Sequence, residues 1–398
     1  MKNFLFAWEL GANFGHLNRD RQVATCLRAR GHSVNFAVKN TRIATELLVP
    51  HSFDFVQAPI SQTKYRQLRA PANYAEILLV EGWGDRQSLS GLLRAWLTLF
   101  DMMKPDTLIA DHAPTALLAA HIAGIPAVAF GNGFEIPPPV SPMPSIRTWE
   151  NIETSRLAQS EKFVLDQANA ASAALGGKQL THLLDIFPPK SILAGFVELD
   201  HYGERDNVIY IGSVYGIKLA EQVTWSKTEG KKILAYLRPD QKITEDILSA
   251  LVLAGKETIC MVPDISQTQM RKYASHNLRI YSRPIAFDAL LAGAGVVISY
   301  GGSGTVAESL LAGVPLILIP YVIEQYLGAK AVEKLGAGIL LGETRDKNAI
   351  GEAINKMLTD SSFQLAAQGF AEKYRGSTTA QSAELAAEAI IKTSCGQR

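Results

Sequence analysis

At 398 residues the chain is longer than one hydrophobic core usually supports, so two domains of similar size are expected. Apolar residues make up 47% and charged residues 19%, which fits a globular protein with a large core. A formal net charge of +1 removes any general pull toward nucleic acid or an anionic membrane surface, so no nucleic-acid partner is expected.

The first half alternates short apolar runs with longer amphipathic ones. Residues 4–10 read as a strand and 11–15 as a loop. From 17 to 30, Val23, Ala24 and Leu27 recur at helical spacing and Gly31 closes the helix. Residues 33–38 form the next strand, and 107–110, 114–124 and 127–130 repeat the order strand, helix, strand. Such repetition argues for a parallel sheet flanked by helices. Pro137, Pro138, Pro139, Pro142 and Pro144 make an extended loop. Polar residues 198–208 read as the link between domains.

The second half restarts with a strand at 232–237, a helix at 243–254 and strands at 258–262, 295–299 and 316–319. An alanine-rich amphipathic helix at 381–391 can pack on either domain. The fold class expected is α/β, with two Rossmann-like domains facing across a cleft. The first covers residues 1–205, with the terminal helix 376–398 as a candidate addition; the second covers 206–375.

Cys26, Cys260 and Cys395 lie far apart without metal-like spacing, and an odd, sparse set suggests a reducing compartment. The opening MKNFLFAWEL is too short an apolar stretch for a signal peptide, and no run of about eighteen apolar residues occurs. A cytoplasmic location is expected. Peripheral membrane contact stays compatible with it.

Parallel sheets bind ligands at the carboxyl ends of their strands. That rule singles out residues 11–16, Asp111 with His112, Arg238 with Pro239, and residues 300–305. In the last of these a strand ends in Tyr300-Gly301-Gly302-Ser303-Gly304-Thr305 and a helix begins at once. Free amides at a helix start, in a loop without side-chain bulk, suit phosphate oxygens. Glu308, about a turn into the helix, can accept two hydrogen bonds from a ribose. A tight turn with glycines for packing alone is the plain alternative.

The stretch resembles the donor-binding signature of family 1 glycosyltransferases, of the two-domain GT-B type. Gly302, Thr305, Glu308, Gly313-Val314-Pro315 and Glu324-Gln325 stand at that family's spacing. The resemblance implies that the loop backbone binds the donor diphosphate, Glu308 the ribose, and Glu324 and Gln325 the sugar hydroxyls. Ser282-Arg283-Pro284 matches the base-binding segment, Asn13-Phe14-Gly15-His16 and Arg30-Gly31-His32 the N-terminal loop and helix, and residues 105–126 the acceptor-side strand and helix. Two positions depart from the pattern. Tyr300 replaces the usual histidine and carries no positive charge at neutral pH. Ser282 replaces the aromatic residue that plant members stack on the base. Arg238 or Arg283 can supply the missing charge, since a guanidinium grips a diphosphate in bidentate fashion.

Transfer with inversion needs the acceptor hydroxyl deprotonated as it attacks. Histidine suits that role when a carboxylate fixes its tautomer. The resemblance makes His16 the base and Asp111 its partner; taken alone, His16 reads more readily as a helix-start residue. His32, after a helix-ending glycine, reads as structural. His112 sits next to Asp111 and, on an extended segment, points the other way. Asn132, Phe134 and Glu135 are expected to line the acceptor side. No Asp-x-Asp pair sits at a strand end, so no metal is expected, nor a cofactor beyond the nucleotide diphosphate sugar as co-substrate.

Three other readings fit parts of the sequence. Residues 302–307 also fit the dinucleotide fingerprint of an NAD-dependent oxidoreductase, but that motif usually opens its domain. An epimerase of the same architecture and a non-catalytic nucleotide-sugar-binding protein are the others.

Overall fold

The computed structural model describes every residue except 13, 63–64, 66–68, 216–220, 227–228, 240, 343–344 and 396–398. The chain divides into two compact units. One comprises Met1–Phe196, Tyr202–Val214 and Ala380–Arg398, the other Val197–His201 and Tyr215–Thr379.

The first unit is built on seven parallel strands: β1 (Asn3–Trp8), β2 (Ser33–Val38), β3 (Phe55–Gln57), β4 (Thr107–Asp111), β5 (Ala127–Gly131), β6 (Ser191–Leu193) and β7 (Val208–Tyr210). Their order across the sheet is β3-β2-β1-β4-β5-β6-β7. The direction of winding reverses between β1 and β4, which pair with Trp8 opposite Asp111. Alternate residues of these strands feed opposite faces, as the pleat requires. Phe4, Phe6, Trp8 and Ile109 join one core, while Leu5, Ala7, Leu108 and Ala110 join the other. Burial on both faces is why β1 reads as a continuous apolar run.

Helix α1 (Gly15–Ala29) packs on the first core through Leu17, Val23, Ala24 and Leu27. Helix α2 (Pro114–Ala123) packs on the second through Ala116, Leu117 and Ala120, beside the buried rings of Trp83 and Trp96. Removing each such large side chain from water is worth about 1.5–3 kcal/mol.

The second unit has six parallel strands: β8 (Lys232–Tyr236), β9 (Thr258–Met261), β10 (Leu278–Tyr281), β11 (Ala294–Ser299), β12 (Leu316–Leu318) and β13 (Gly338–Leu340), in the order β10-β9-β8-β11-β12-β13. Its reversal lies between β8 and β11, where Tyr236 pairs with Ser299. Helix α3 (Ser303–Leu311) follows β11 and α4 (Ile323–Lys334) follows β12. The terminal helix α5 (Thr379–Cys395) belongs largely to the first unit: Ala383, Ala386, Ala387 and Ile390 enter the core beneath α1. Arg30 pairs with Glu384 at 2.5 Å to secure it.

The boundary expected at 205/206 shifts in the structure. Val208, at the end of the stretch 198–208 expected to be the link, opens β7, which completes the first sheet by pairing with β6. That unit therefore continues to Val214. Among the described residues no helix is long and apolar enough to cross a membrane.

Candidate active site

Each unit places its candidate residues at its own reversal point, where crossovers leave in opposite directions and strand ends open a crevice. In the first unit the loop after β1 and the end of β4 converge. His16, in the first turn of α1, joins its Nδ1 to Asp111 Oδ1 at 2.8 Å. Asp111 is wholly buried and His16 nearly so, its ring stacked on Trp8 at 5.5 Å. Arg19 Nη2 donates to Asp111 Oδ1 at 2.7 Å and to Glu135 Oε2 at 3.0 Å.

Burial alone would lower the His16 pKa, but the carboxylates of Asp111 and Glu135 outweigh it and leave the imidazole above its ordinary value. For Asp111, burial opposes ionisation. The charges of Arg19 and His16 overcome it and hold the carboxyl well below the usual range. The outcome is an ionised carboxylate held against the Nδ1 side of the imidazole.

His112 differs from expectation. Its φ of 46° is left-handed, so the alternation of an extended segment does not apply. Its ring turns back beside His16 at 6.3 Å and is buried. Burial first, then the charge of His16, pushes it down to about 3, so it stands neutral. His32 has a structural setting: its Nδ1 accepts from the Lys2 amide, and its ring meets Phe4 edge-on. Asn13 lies outside the described residues.

Asn132, Phe134 and Glu135 are all buried. Asn132 Oδ1 accepts from the Phe134 and Glu135 amides, and Glu135 Oε2 from the Asn132 amide. Glu135 thus faces His16 and Arg19, and the loop folds tightly because Gly131 leaves room for its carboxylate. One donor atom each from His16, His112 and Glu135 lies within 4.8 Å of the others. Arg19 Nη2 stands at the same corner, 3.0 Å from Glu135 Oε2.

Sequence reasoning missed Arg19 and Asp20. The signal was there: both fall on the buried face of α1 that Val23, Ala24 and Leu27 continue, where charged residues are out of place. It also missed Glu9. Just beyond β1, Glu9 accepts from the Thr115 and Ala116 amides at 3.0 and 2.6 Å, filling the amino end of α2 with the chain's own carboxylate.

In the second unit the end of β11 turns through Gly301, whose φ of +81° needs glycine. Gly302 is the N-cap of α3, with no side-chain cap and no acidic residue in the first turn. Among the described residues no partner is found for the amides of Ser303, Gly304 and Thr305, so this helix start presents open donors. Gly304 keeps clear of Tyr215, whose Cβ would stand 3.3 Å from any Cβ placed there.

Arg238, on the loop after β8, lays its guanidinium over the Tyr300 ring at 4.7 Å and the Tyr321 ring at 5.8 Å. Tyr236 meets Tyr300 edge-on at 5.0 Å. Burial, then Tyr236, pushes the Tyr300 phenol well up, so it stays neutral. Glu308 is half-buried. Burial, then the charge of Asp288, raises it to about 7. Arg283 is exposed just past β10, and Glu324 lies in the first turn of α4. Gln325 Oε1 accepts from the Tyr321 amide, fixing the loop that backs Arg238.

The chain is similar to known proteins. Residues 245–390 match the family described as erythromycin biosynthesis protein CIII-like, C-terminal domain. A PGL/p-HBAD biosynthesis glycosyltransferase of Mycobacterium tuberculosis is 36% identical over 88 residues, 22% of this chain and 21% of that one. The alignment thus spans about a fifth of that relative's length. A PGL/p-HBAD biosynthesis rhamnosyltransferase of Mycobacterium bovis is 25% identical over 312 residues, 72% of this chain and 68% of that one. Among solved structures, a spinosyn rhamnosyltransferase complexed with thymidine diphosphate superposes with a TM-score of 0.63 at 18% identity, covering 99% of each chain. By its two parallel-sheet units and its C-terminal domain, the chain is a GT-B fold protein that resembles the family 1 glycosyltransferases.

Proposed function

We propose that the protein is a glycosyltransferase, moving a sugar from a nucleoside diphosphate donor to an acceptor hydroxyl with inversion and without a metal ion. The observation that carries this reading is the 2.8 Å bond between His16 Nδ1 and Asp111 Oδ1 at the reversal point of the first sheet. His16 Nε2 takes the acceptor proton as the hydroxyl oxygen attacks the anomeric carbon. Asp111 stabilises the imidazolium that forms. The bond from that carbon to the diphosphate breaks, and the leaving oxygens are met by the amides at the start of α3 and by Arg238. Displacement from the opposite side inverts the centre.

The donor is proposed to be a uridine or thymidine diphosphate sugar, with no further cofactor. The thymidine diphosphate on the spinosyn enzyme and the glycosyl- and rhamnosyltransferase relatives support it. Glu308 takes the ribose, and Glu324 and Gln325 the sugar. Free thiols at Cys26 and Cys260 accord with a reducing, cytoplasmic setting.

The test is His16→Ala. Turnover should fall by about 10² to 10⁴, the range for a positioned base, while nucleoside diphosphate affinity, measured calorimetrically, holds. Near-normal turnover would remove His16 from the reaction, and lost nucleotide binding would move it to the diphosphate.

A further inference from the structure

His16, Arg19 and Asp20 lie within about one turn on a single buried face of α1. Asp20 is wholly buried, and among the described residues neither of its oxygens meets a hydrogen-bond donor. The same is true of Asp111 Oδ2. Three bare carboxyl oxygens on buried side chains are costly, and something must satisfy them.

The charged groups around Asp20 are few. Arg19 and His16 stand on its own helix, Asp111 on β4 and Glu135 on the loop after β5. Arg19 already serves Asp111 Oδ1 and Glu135 Oε2, and His16 serves Asp111 Oδ1. If all three acids were ionised, one guanidinium would face three negative charges.

We propose that Asp20 is held as a neutral carboxylic acid and donates its proton to Asp111 Oδ2, making it a positioning residue for the catalytic aspartate. One proton satisfies an oxygen on each side and removes a like charge. Asp111 is then pinned through both oxygens, with Oδ1 on His16 and Arg19 and Oδ2 on Asp20. Its fixed plane keeps the His16 proton on Nδ1 and the lone pair on Nε2. Burial, then the charge of Asp111, holds the Asp20 carboxyl well above its ordinary value, in keeping with this arrangement. The effect on turnover rests on the reading of His16 as the base; the protonation of Asp20 does not.

Two variants test it. Asp20→Asn keeps a donor without a charge, and Asp20→Leu keeps bulk without a donor. Turnover of Asp20→Leu should fall by about 10- to 100-fold as the base loses its alignment. Asp20→Asn should rescue most of that loss and keep the acid limb of the pH profile where the wild type has it. Melting curves give a readout that needs no substrate. A carboxyl whose folded pKa lies above its unfolded value stabilises fully below the unfolded value, and that contribution fades as pH rises. Asp20→Asn should therefore gain on the wild type as pH rises above the ordinary carboxylate range. Protonated-carboxyl infrared absorption at neutral pH, to which Glu308 also contributes, should weaken in the same variant.

The proposal is overturned if Asp20→Asn shifts the acid limb downward, as loss of an anion beside His16 would, or if the stability difference is flat with pH. Should His16→Ala keep normal turnover while that difference still varies with pH, the base reading fails and the neutral Asp20 stands.

Discussion

A side chain at position 11 would collide with the second imidazole nitrogen of His16: a Cβ built on Gly11 lies 2.3 Å from His16 Nε2. Gly11 also holds a φ of +82°, which glycine adopts at little cost. Gly11→Ala should place a methyl group on the nitrogen that takes the acceptor proton. Turnover is expected to drop by about 10²-fold, with donor affinity unchanged by calorimetry. An alanine variant with normal turnover would mean that Nε2 is not the reacting nitrogen.

The pH profile follows from the same pair. A base must be neutral to act, and Asp111 and Glu135 hold His16 above the ordinary 6.5. Turnover should rise with pH through a midpoint above that value. Asp111→Asn removes a raising charge, so its midpoint should move down while its plateau falls by up to about 10⁴, as when a triad aspartate is lost. A midpoint unmoved in that variant would show that another group sets the limb.

The donor side is tested by nucleotide binding. Arg238→Ala loses charge-assisted bonds worth about 1.5–3 kcal/mol, so a nucleoside diphosphate should bind roughly 10- to 100-fold more weakly. Tyr300→Phe keeps the ring beneath the guanidinium and should bind nearly as the wild type, whereas Tyr300→Ala should not. Ribose hydroxyls favour the ionised form of Glu308, so affinity should climb with pH toward about 7 and then level off. At a hundred times the dissociation constant, the nucleotide should stabilise the fold by about 2.7 kcal/mol. Stabilisation by NAD alone would point to the dinucleotide alternative instead.

Metal dependence gives the plainest experiment. With Arg238 and helix amides at the diphosphate, transfer should persist in EDTA. Activity lost to chelator and restored by magnesium or manganese would require a different mechanism.

Much of the fold was legible because parallel strands buried on both faces read as apolar runs, as Phe4–Trp8 and Val296–Ser299 do. Short strands were not. Val208–Tyr210 carries only three residues, and its place beside β6 is a long-range pairing that no local period announces. At the site, His16 and Asp111 were found through a resemblance, since 95 positions separate them and spacing alone could not join them. Arg19 and Asp20 escaped although they continue the face of Val23, Ala24 and Leu27, because a charged pair near a helix start reads first as solvated. The turn at His112 was misread because nothing in its identity announces a left-handed backbone.

Glu9 has a consequence for how the two similar sheets divide their work. A helix start facing a sheet's reversal point is an anion receptor in either unit, but in the first one the Glu9 carboxylate already sits on the Thr115 and Ala116 amides. A phosphate arriving there would find the donors taken and a carboxyl group in its way. The corresponding start of α3 carries no such plug. One architecture, repeated, is thus polarised by a single side chain: Glu9 occupies the helix start in the half with His16, and among the described residues no acidic side chain takes the matching place in the first turn of α3.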